Sequence, residues 1–482
     1  MRASHMNPTI STGTVRRLAA AVLAAGALAA GCSDKQLVTA NPISVTPQAA
    51  ATNPLGALQL QASGIIATDR DNISTYIRDV ALFGREAFYF QLQDSRWITG
   101  YFRDFADNTS FGAGGTWAAR YANLRNIKNF NTALAASSGT LSQAQVSAAR
   151  GFSQTMEALQ LLYLVNTRHD LGIVVEIPDD PQAVAPFVSR DSAFRYITNT
   201  LDAANTSLRA GGAAFPFTLP SGFANFTTPT AFAQFNRALK ARVEVYRGSL
   251  GCGQTCYQAA LTALGQSFIT ADLSAANLKT GPQYTFSTAA GDVVNGLWNL
   301  RTDLYANLSL LTDASVPQTD TRVTSATTTA AARQQTGSES SNRIFTVYPT
   351  NTSTIPIIDN EELWLIRAEA LWFTGDRAGA TAALNAVATV AGGAAGNRYA
   401  QAATDAEFVT QLLAERRLSL LLEGHRWVDV RRFGRLETLP LGGTGFRRAE
   451  QQVVPQAECQ ARDRIAAATN NPALLGTGCP RT

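Results

Sequence analysis

The sequence predicts a mainly all-α chain of tetratricopeptide-like helical pairs separated by long irregular loops. Three observations carry this expectation. Apolar residues recur at three- and four-residue steps through most of the chain after residue 55, which is the spacing of one face of a helix. Ala368, Leu371, Gly375, Ala380 and Leu384 fall at the offsets of a tetratricopeptide-type hairpin: small, large, turn glycine, small, large. Few stretches read as strands, the best being the short "GIVVEIP" and "IFTVYP".

The N-terminus, residues 1–31, reads as an export signal. Arg16 and Arg17 precede an apolar run, Leu18 to Cys32, that is too short to span a bilayer and ends in small residues. Its end, "LAAGC", resembles a bacterial lipobox, in which Cys32 is lipidated and becomes the mature N-terminus. Ala29 stands where a larger residue is usual, and the alternative is an ordinary secretory signal with an incidental cysteine. Residues 32–55 are polar, contain proline and lack periodicity, so they read as a tether. Residues 56–482 form the folded domain, with an N-terminal half at about 56–230 and a C-terminal half at about 231–482.

Within that domain the helical segments come in order. "PLGALQLQASGIIATDRDNISTYIRDVALFGREAF", "WAARYANLRNIKNFNTALAAS", "LSQAQVSAARGFSQTMEALQLLYLVNTRH", "SRDSAFRYITNTLDAANTSLRA" and "FTTPTAFAQFNRALKARVEVYRGS" each keep the helical step. Two more helices lie in "IIDNEELWLIRAEALWFTGDRAGATAALNAVATVAGG", joined by Gly375-Asp376. Between the helices run long irregular stretches at 84–116, 209–230 and 272–355, and loops this long in a compact domain are usually functional or disordered. "TSATTTAAARQQTGSESSN" is of low complexity and reads as a mobile surface, whereas residues 84–117 are dense in aromatic side chains.

Composition narrows the function. A hydrophobic content of 45% suits a globular protein, and a mean hydropathy of −0.04 excludes a polytopic membrane protein. The formal charge of +4 falls to +1 once the three arginines of residues 1–31 are set aside (37 Lys+Arg against 36 Asp+Glu). No basic surface for nucleic acid is implied. With Cys32 lipidated, Cys252, Cys256, Cys459 and Cys479 remain, an even number in an oxidising compartment. They allow three pairings, of which Cys252–Cys256 is the local one and leaves Cys459–Cys479 to close the C-terminal tail. A metal at Cys252 and Cys256 is the rival reading, but no histidine or further cysteine lies near them.

Charge concentrates in one window. Leu412 to Leu436, "LLAERRLSLLLEGHRWVDVRRFGRL", holds 9 charged residues in 25, although the whole chain is 16% charged. On a continuous helix, Glu423, Arg426 and Asp429 would share one face beside a leucine surface, forming a structural ion-pair ladder. His425 is a conceivable general base, but no nucleophile motif and no metal-ligand spacing accompanies it. The sequence therefore offers no catalytic residue, no metal site and no cofactor.

The same window resembles the C-terminal signature of the SusD/RagB family. Glu415, Arg416, Glu423, Gly424, Arg426, Asp429, Arg432 and Gly434 match it, while Ser419 replaces a usual acid and removes one expected ion-pair partner. "EELWLIRAEALWFTGDRAGATAALNAV", with Arg367, Glu369, Gly375 and Asn385 in place, is similar to the segment that precedes the signature. "WAARYANLRNIKNFN", "AARGFSQTMEALQLLYLVNTRHDLGIVVE" and "VVPQAECQ" resemble further family elements, and order and spacing hold from about residue 56 to 460. The resemblance implies four tetratricopeptide-like pairs supporting an irregular, ligand-facing half. It also implies a non-enzymatic lipoprotein, anchored to the outer membrane through Cys32 and exposed at the cell surface. Such a protein captures an oligosaccharide or peptide for a TonB-dependent, SusC-type barrel.

A sugar is held by aromatic platforms together with Asp, Asn and Arg side chains. Asp94, Arg96, Trp97, Tyr101, Asp104 and Asn108 offer that mixture in one stretch, and Trp298, Arg301 and Tyr305 in another. Trp117, Trp364, Trp372 and Trp427 lie on expected scaffold helices and are assigned to packing. Two other classes of function remain open to the sequence: a helical-repeat scaffold that binds a protein, and a helical glycoside hydrolase using paired carboxylates.

Overall fold

The computed structural model describes residues 53–103, 109–137, 139–180, 183–313, 315–316, 318–394, 396–476 and 479. Cys32, Asp104 and Asn108 lie outside them, as do the signal and nearly all of the tether.

Eight helices make the body: α1 (Pro54–Phe83), α2 (Gly115–Ala136), α3 (Gln143–Arg168), α4 (Arg190–Arg209), α5 (Pro229–Arg247), α6 (Gln254–Leu264), α7 (Asn360–Thr374) and α8 (Arg377–Val390). Each packs against the next in sequence, so the chain stacks as four consecutive pairs. Local chemistry fixes where they start. The side chains of Asn53, Ser142, Ser189, Thr228, Asp359 and Asp376 accept hydrogen bonds from first-turn amides, and Ser142 with Gln145 completes a capping box. Pro54 and Pro229 open their helices where a missing N–H costs nothing. The α7–α8 hairpin turns at Gly375, whose φ of 104° favours glycine, while Ala368, Ala380 and Leu384 are wholly buried. The tether read to residue 55 thus ends two residues early, because Asn53 and Pro54 already start α1.

Three further helices close the chain: α9 (Asp405–Ser419), α10 (Arg426–Arg432) and α11 (Gln456–Thr469). Trp372 of α7 stacks on Phe408 of α9 at 4.3 Å and donates its indole N–H to Asp405 at 2.9 Å. Trp117, Trp364, Trp372 and Trp427 are all buried, as their scaffold positions predict.

Two long excursions leave the stack, between α1 and α2 and between α6 and α7. They meet in a four-stranded antiparallel sheet of order β1-β3-β5-β4, with β1 (Ala87–Tyr89), β3 (Leu304–Ala306), β4 (Thr327–Arg333) and β5 (Ser341–Phe345). The register sets Phe88 opposite Tyr305 and Tyr89 opposite Leu304. A second pair, β2 (Gln283–Tyr284) and β6 (Ile355–Pro356), ties the longer excursion to itself.

Two sequence expectations change here. "TSATTTAAARQQTGSESSN" is not merely a mobile surface: it supplies β4 and the start of β5, with Thr327 and Ser341 buried and Ser341 Oγ donating to the Ala306 carbonyl at 2.7 Å. Low complexity hid the β-branched threonines that pair well in a strand. "GIVVEIP" forms no strand, only the single bridge Ile173–Val188.

Candidate functional site

The charged window is a buried scaffold, wired differently from the expected ladder. α9 ends at Ser419, and the chain turns through Leu422 (φ 57°) and Gly424 (φ 84°) before α10 begins. Gly424 leaves no room for a side chain, since a Cβ there would lie 2.7 Å from the Tyr76 ring. The break removes Glu423 from any shared helical face with Arg426 and Asp429. Glu423 instead meets Lys279 at 3.3 Å, and Arg426 donates to the Gly84 carbonyl at 3.2 Å.

The ion pairs that form cross between helices. Asp429 accepts from Arg416 at 2.8 Å and from Arg432 at 3.0 Å, and Arg432 grips Glu369 of α7 at 2.5 and 2.7 Å. Burial opposes the Asp429 charge, but Arg416 and Arg432 outweigh it and hold the carboxyl below its ordinary range. Glu415 meets Arg322 at 2.6 Å and the Tyr399 hydroxyl at 2.8 Å. Ser419, standing where the family has an acid, accepts from Arg322 at 2.6 Å. Arg322 already faces Asp320 and Glu415, so a third close carboxylate is not needed to balance it. Glu415, Arg416, Arg426 and Asp429 are buried and Glu423 nearly so.

His425 is enclosed in the scaffold between Tyr246 and Glu362, away from the aromatic stretches. Burial, with Arg242 and Arg416 nearby, pushes its pKa down to about 4 and makes it a weak base. A void of about 10 Å³ lies beside His169, Tyr246 and Arg431. That is room for one water, not for a sugar.

The two ligand stretches come together at the sheet. Because β1 pairs with β3, the loop after Tyr89 and the loop before Leu304 run side by side, and Phe90 N–H donates to the Asp303 carbonyl at 2.7 Å. Trp298 is half-buried, with the Arg301 guanidinium 3.4 Å from its ring centre. No aromatic ring stacks on Trp298 among the described residues. Arg96 is exposed, pairs with Asp94 at 2.7 Å and lies 4.1 Å over the Phe111 ring.

Trp97 is more enclosed than its sequence setting suggests. It sits in a helical turn, Arg96–Ile98, and its indole N–H donates to Gln91 at 2.5 Å. Tyr89, Tyr101 and Phe111 surround it with ring centres at 4.7, 5.6 and 4.5 Å, and the Arg78 guanidinium lies 4.5 Å over it. Trp97 is thus half-buried rather than solvent-facing.

Tyr101 and Tyr305 are corrected. Both are buried, at 1% and 3% exposure. The Tyr101 hydroxyl donates to Asp79 at 3.0 Å, and that of Tyr305 to the Ala331 carbonyl at 3.1 Å. They build the floor of the patch rather than its face. Their sequence neighbourhood was polar, and only the strand and the π-turn Thr99–Arg103 fold them inward.

The structure also adds residues that sequence reading missed. Arg78, on α1, is held by Asp79 at 2.7 Å and supports Trp97. Asp303 and Arg333 form a part-exposed ion pair, and Gln335 donates to the Gln91 carbonyl at 3.1 Å. Arg333 and Gln335 come from the low-complexity segment, whose composition gave no reason to place them beside Trp97. A second π-turn, Ser110–Gly114, leads from the patch into α2. Such turns are frequent at functional sites.

A consecutive helical stack with two converging excursions defines a SusD-type fold. Solved structures share it: NanU of Bacteroides fragilis (TM-score 0.63, 16% identity, 90% of this chain and 99% of that one), a SusD superfamily protein of Parabacteroides distasonis (0.64, 14%, 86% and 98%) and a SusD homologue of Bacteroides thetaiotaomicron (0.63, 17%, 86% and 97%). Residues 316–472 match the SusD family model. That match makes the C-terminal third similar to SusD-family proteins, and the shared fold extends the structural likeness along most of the chain. No curated protein matches the sequence.

Proposed function

We propose that this protein is a cell-surface lipoprotein of the outer membrane that binds a nutrient, an oligosaccharide or a peptide, and delivers it to a TonB-dependent, SusC-type transporter. The observation that carries the binding half is the convergence of two excursions, more than 200 residues apart in sequence, on one patch. The meeting point bears Asp94, Arg96, the half-buried Trp97 and the Asp303–Arg333 pair, and Trp298 and Arg301 precede Asp303 on the second excursion. Aromatic surface next to paired charged groups suits a ligand with flat apolar faces and polar edges. Among the described residues the patch presents no nucleophile with an attendant base, and the reading we favour is capture without chemistry.

Membrane attachment rests on the lipobox at Cys32, and a fold relative from Bacteroides vulgatus is described as a candidate outer-membrane protein for nutrient binding. Among the described residues no helix is long and apolar enough to cross a membrane, and acyl chains on Cys32 supply an anchor of another kind. Cys32→Ala is expected to abolish fatty-acid labelling and to release the protein from washed membranes. A variant that stays membrane-bound refutes the anchor.

Trp298→Ala is expected to lower affinity at least tenfold, or about 1.4 kcal/mol, in calorimetric titrations against panels of glycans and peptides. The melting temperature should stay near wild type. Full affinity combined with a large loss of stability would move Trp298 to packing and the patch out of consideration. Co-purification from native membranes tests the delivery half: a TonB-dependent barrel should come with the wild-type protein.

A further inference from the structure

The two disulfides differ in a way that the nutrient-binding reading does not use. Cys459–Cys479 spans 20 residues, with Cys479 buried and Cys459 half-buried. Cys252–Cys256 spans four, with Cys252 exposed on a surface turn and Cys256 2% exposed. Beside the turn, the outer face of α6 forms an open polar depression lined by Gln254, Thr255, Gln258, Ala259 and Thr262.

The turn does not depend on its disulfide for closure. The Gly253 N–H donates to the Gly248 carbonyl at 3.1 Å, and Gly251 and Gly253 take φ values of 115° and 64° that glycine adopts without strain. Ser249 accepts from Arg432 at 3.1 Å, which fastens the turn to the buried Arg432–Glu369 pair. Tyr257 packs against Gly248, where a Cβ would lie 2.7 Å from the ring, and stacks on Phe373 at 4.7 Å.

The two sulfurs also differ in what each becomes on cleavage. Cys256 is the third residue of α6, an 11-residue helix, where the helix N-terminus favours a thiolate. A sulfur that is stabilised as thiolate is the better leaving group in exchange. Cys252 is the sulfur that an incoming thiol can reach.

We propose that Cys252–Cys256 is a thiol-exchange site on the folded protein, taking low-molecular-weight thiols. An incoming thiolate attacks the Cys252 sulfur and forms an S–S bond to it. The Cys252–Cys256 bond breaks, and its electron pair leaves on Cys256 as thiolate. A second thiolate attacks the sulfur of the bound thiol, releasing the oxidised thiol and leaving Cys252 reduced. Helix α6 and the turn stay in place throughout, because the packing of Tyr257 on Gly248 and Phe373 and the bond from Arg432 to Ser249 are independent of the disulfide.

The test uses the mature protein in native buffer with graded glutathione, followed by iodoacetamide and peptide mass spectrometry. The glutathione adduct is expected on Cys252, with Cys459–Cys479 intact and the melting temperature within a few degrees of the untreated protein. In paired variants, the free Cys252 of Cys256→Ser should react with a maleimide at least tenfold faster than the free Cys256 of Cys252→Ser. An adduct on Cys256, simultaneous opening of both disulfides, equal maleimide rates, or opening only in denaturant would each overturn the proposal.

Discussion

Asp429→Ala tests whether the charged window is scaffold. Asp429 is 2% exposed, and each of its oxygens receives an arginine, Arg416 at 2.8 Å and Arg432 at 3.0 Å. Arg432 keeps Glu369 after the substitution, but Arg416 keeps little, because its two terminal nitrogens are buried without hydrogen-bond partners. Removing one member of a buried pair strands the other and typically costs about 3–5 kcal/mol. The expected loss for Asp429→Ala lies in that range, measured by urea unfolding at pH 7. Arg416→Met in the same background should recover a large part of it, since the stranded charge is then gone. Acid should erode the wild-type advantage. The folded-state pKa of Asp429 is depressed, so its stabilisation is present at neutral pH and is lost as pH falls through that lowered value. A loss below about 1 kcal/mol, or single and double variants that add within about 0.5 kcal/mol, would mean that Asp429 and Arg416 are not coupled and the scaffold reading of this pair is wrong.

Glu86 predicts the opposite pH trend. Burial, only partly offset by Arg426 and Arg417, pushes its carboxyl up to about 7, so stability present below its unfolded pKa of about 4.3 is lost as pH rises through 7. Glu86→Gln should flatten the stability profile between pH 5 and 8, by about 3 kcal/mol at most, and an unchanged profile in thermal melts would show that Glu86 does not titrate there. Tyr101→Phe should cost about 1 kcal/mol through the lost bond to Asp79 while leaving ligand affinity intact; lost affinity without lost stability would return Tyr101 to the binding face.

The sequence made the stack legible because its information is local. Caps such as Ser142 and Thr228, the turn glycine at 375 and the small residues at 368 and 380 each act within a few residues of their own position. The ion-pair ladder failed for a local reason as well. Three-residue spacing implies a shared face only on a continuous helix, and α9 ends at Ser419, leaving Glu423 in a turn that reverses through Leu422 and through Gly424, which is pressed against Tyr76. A glycine flanked by Glu423 and His425 was readable as a helix stop. The true partners of Asp429 were not readable from spacing, because the pairs that matter join α7, α9 and α10.

The candidate site was half legible for a related reason. Composition singled out 94–108 and 298–305 separately, but nothing in either stretch says that they are neighbours. Their contact is a register, Phe88 opposite Tyr305, and a strand three residues long carries too little periodicity to announce its partner. The same pairing decides which aromatics face outward. All three residues of β3 are buried, and the Tyr305 hydroxyl secures β4 through Ala331, while β4 in turn delivers Arg333 to Asp303. Trp298, upstream of the strand and backed by Arg301, escapes that burial. The scaffold therefore places the patch indirectly: α1 and α2 fix the ends of one excursion and α6 and α7 the ends of the other. A substitution in the sheet that shifted β1 against β3 by one residue would disperse Trp97, Trp298 and Arg333 while leaving the helical stack intact.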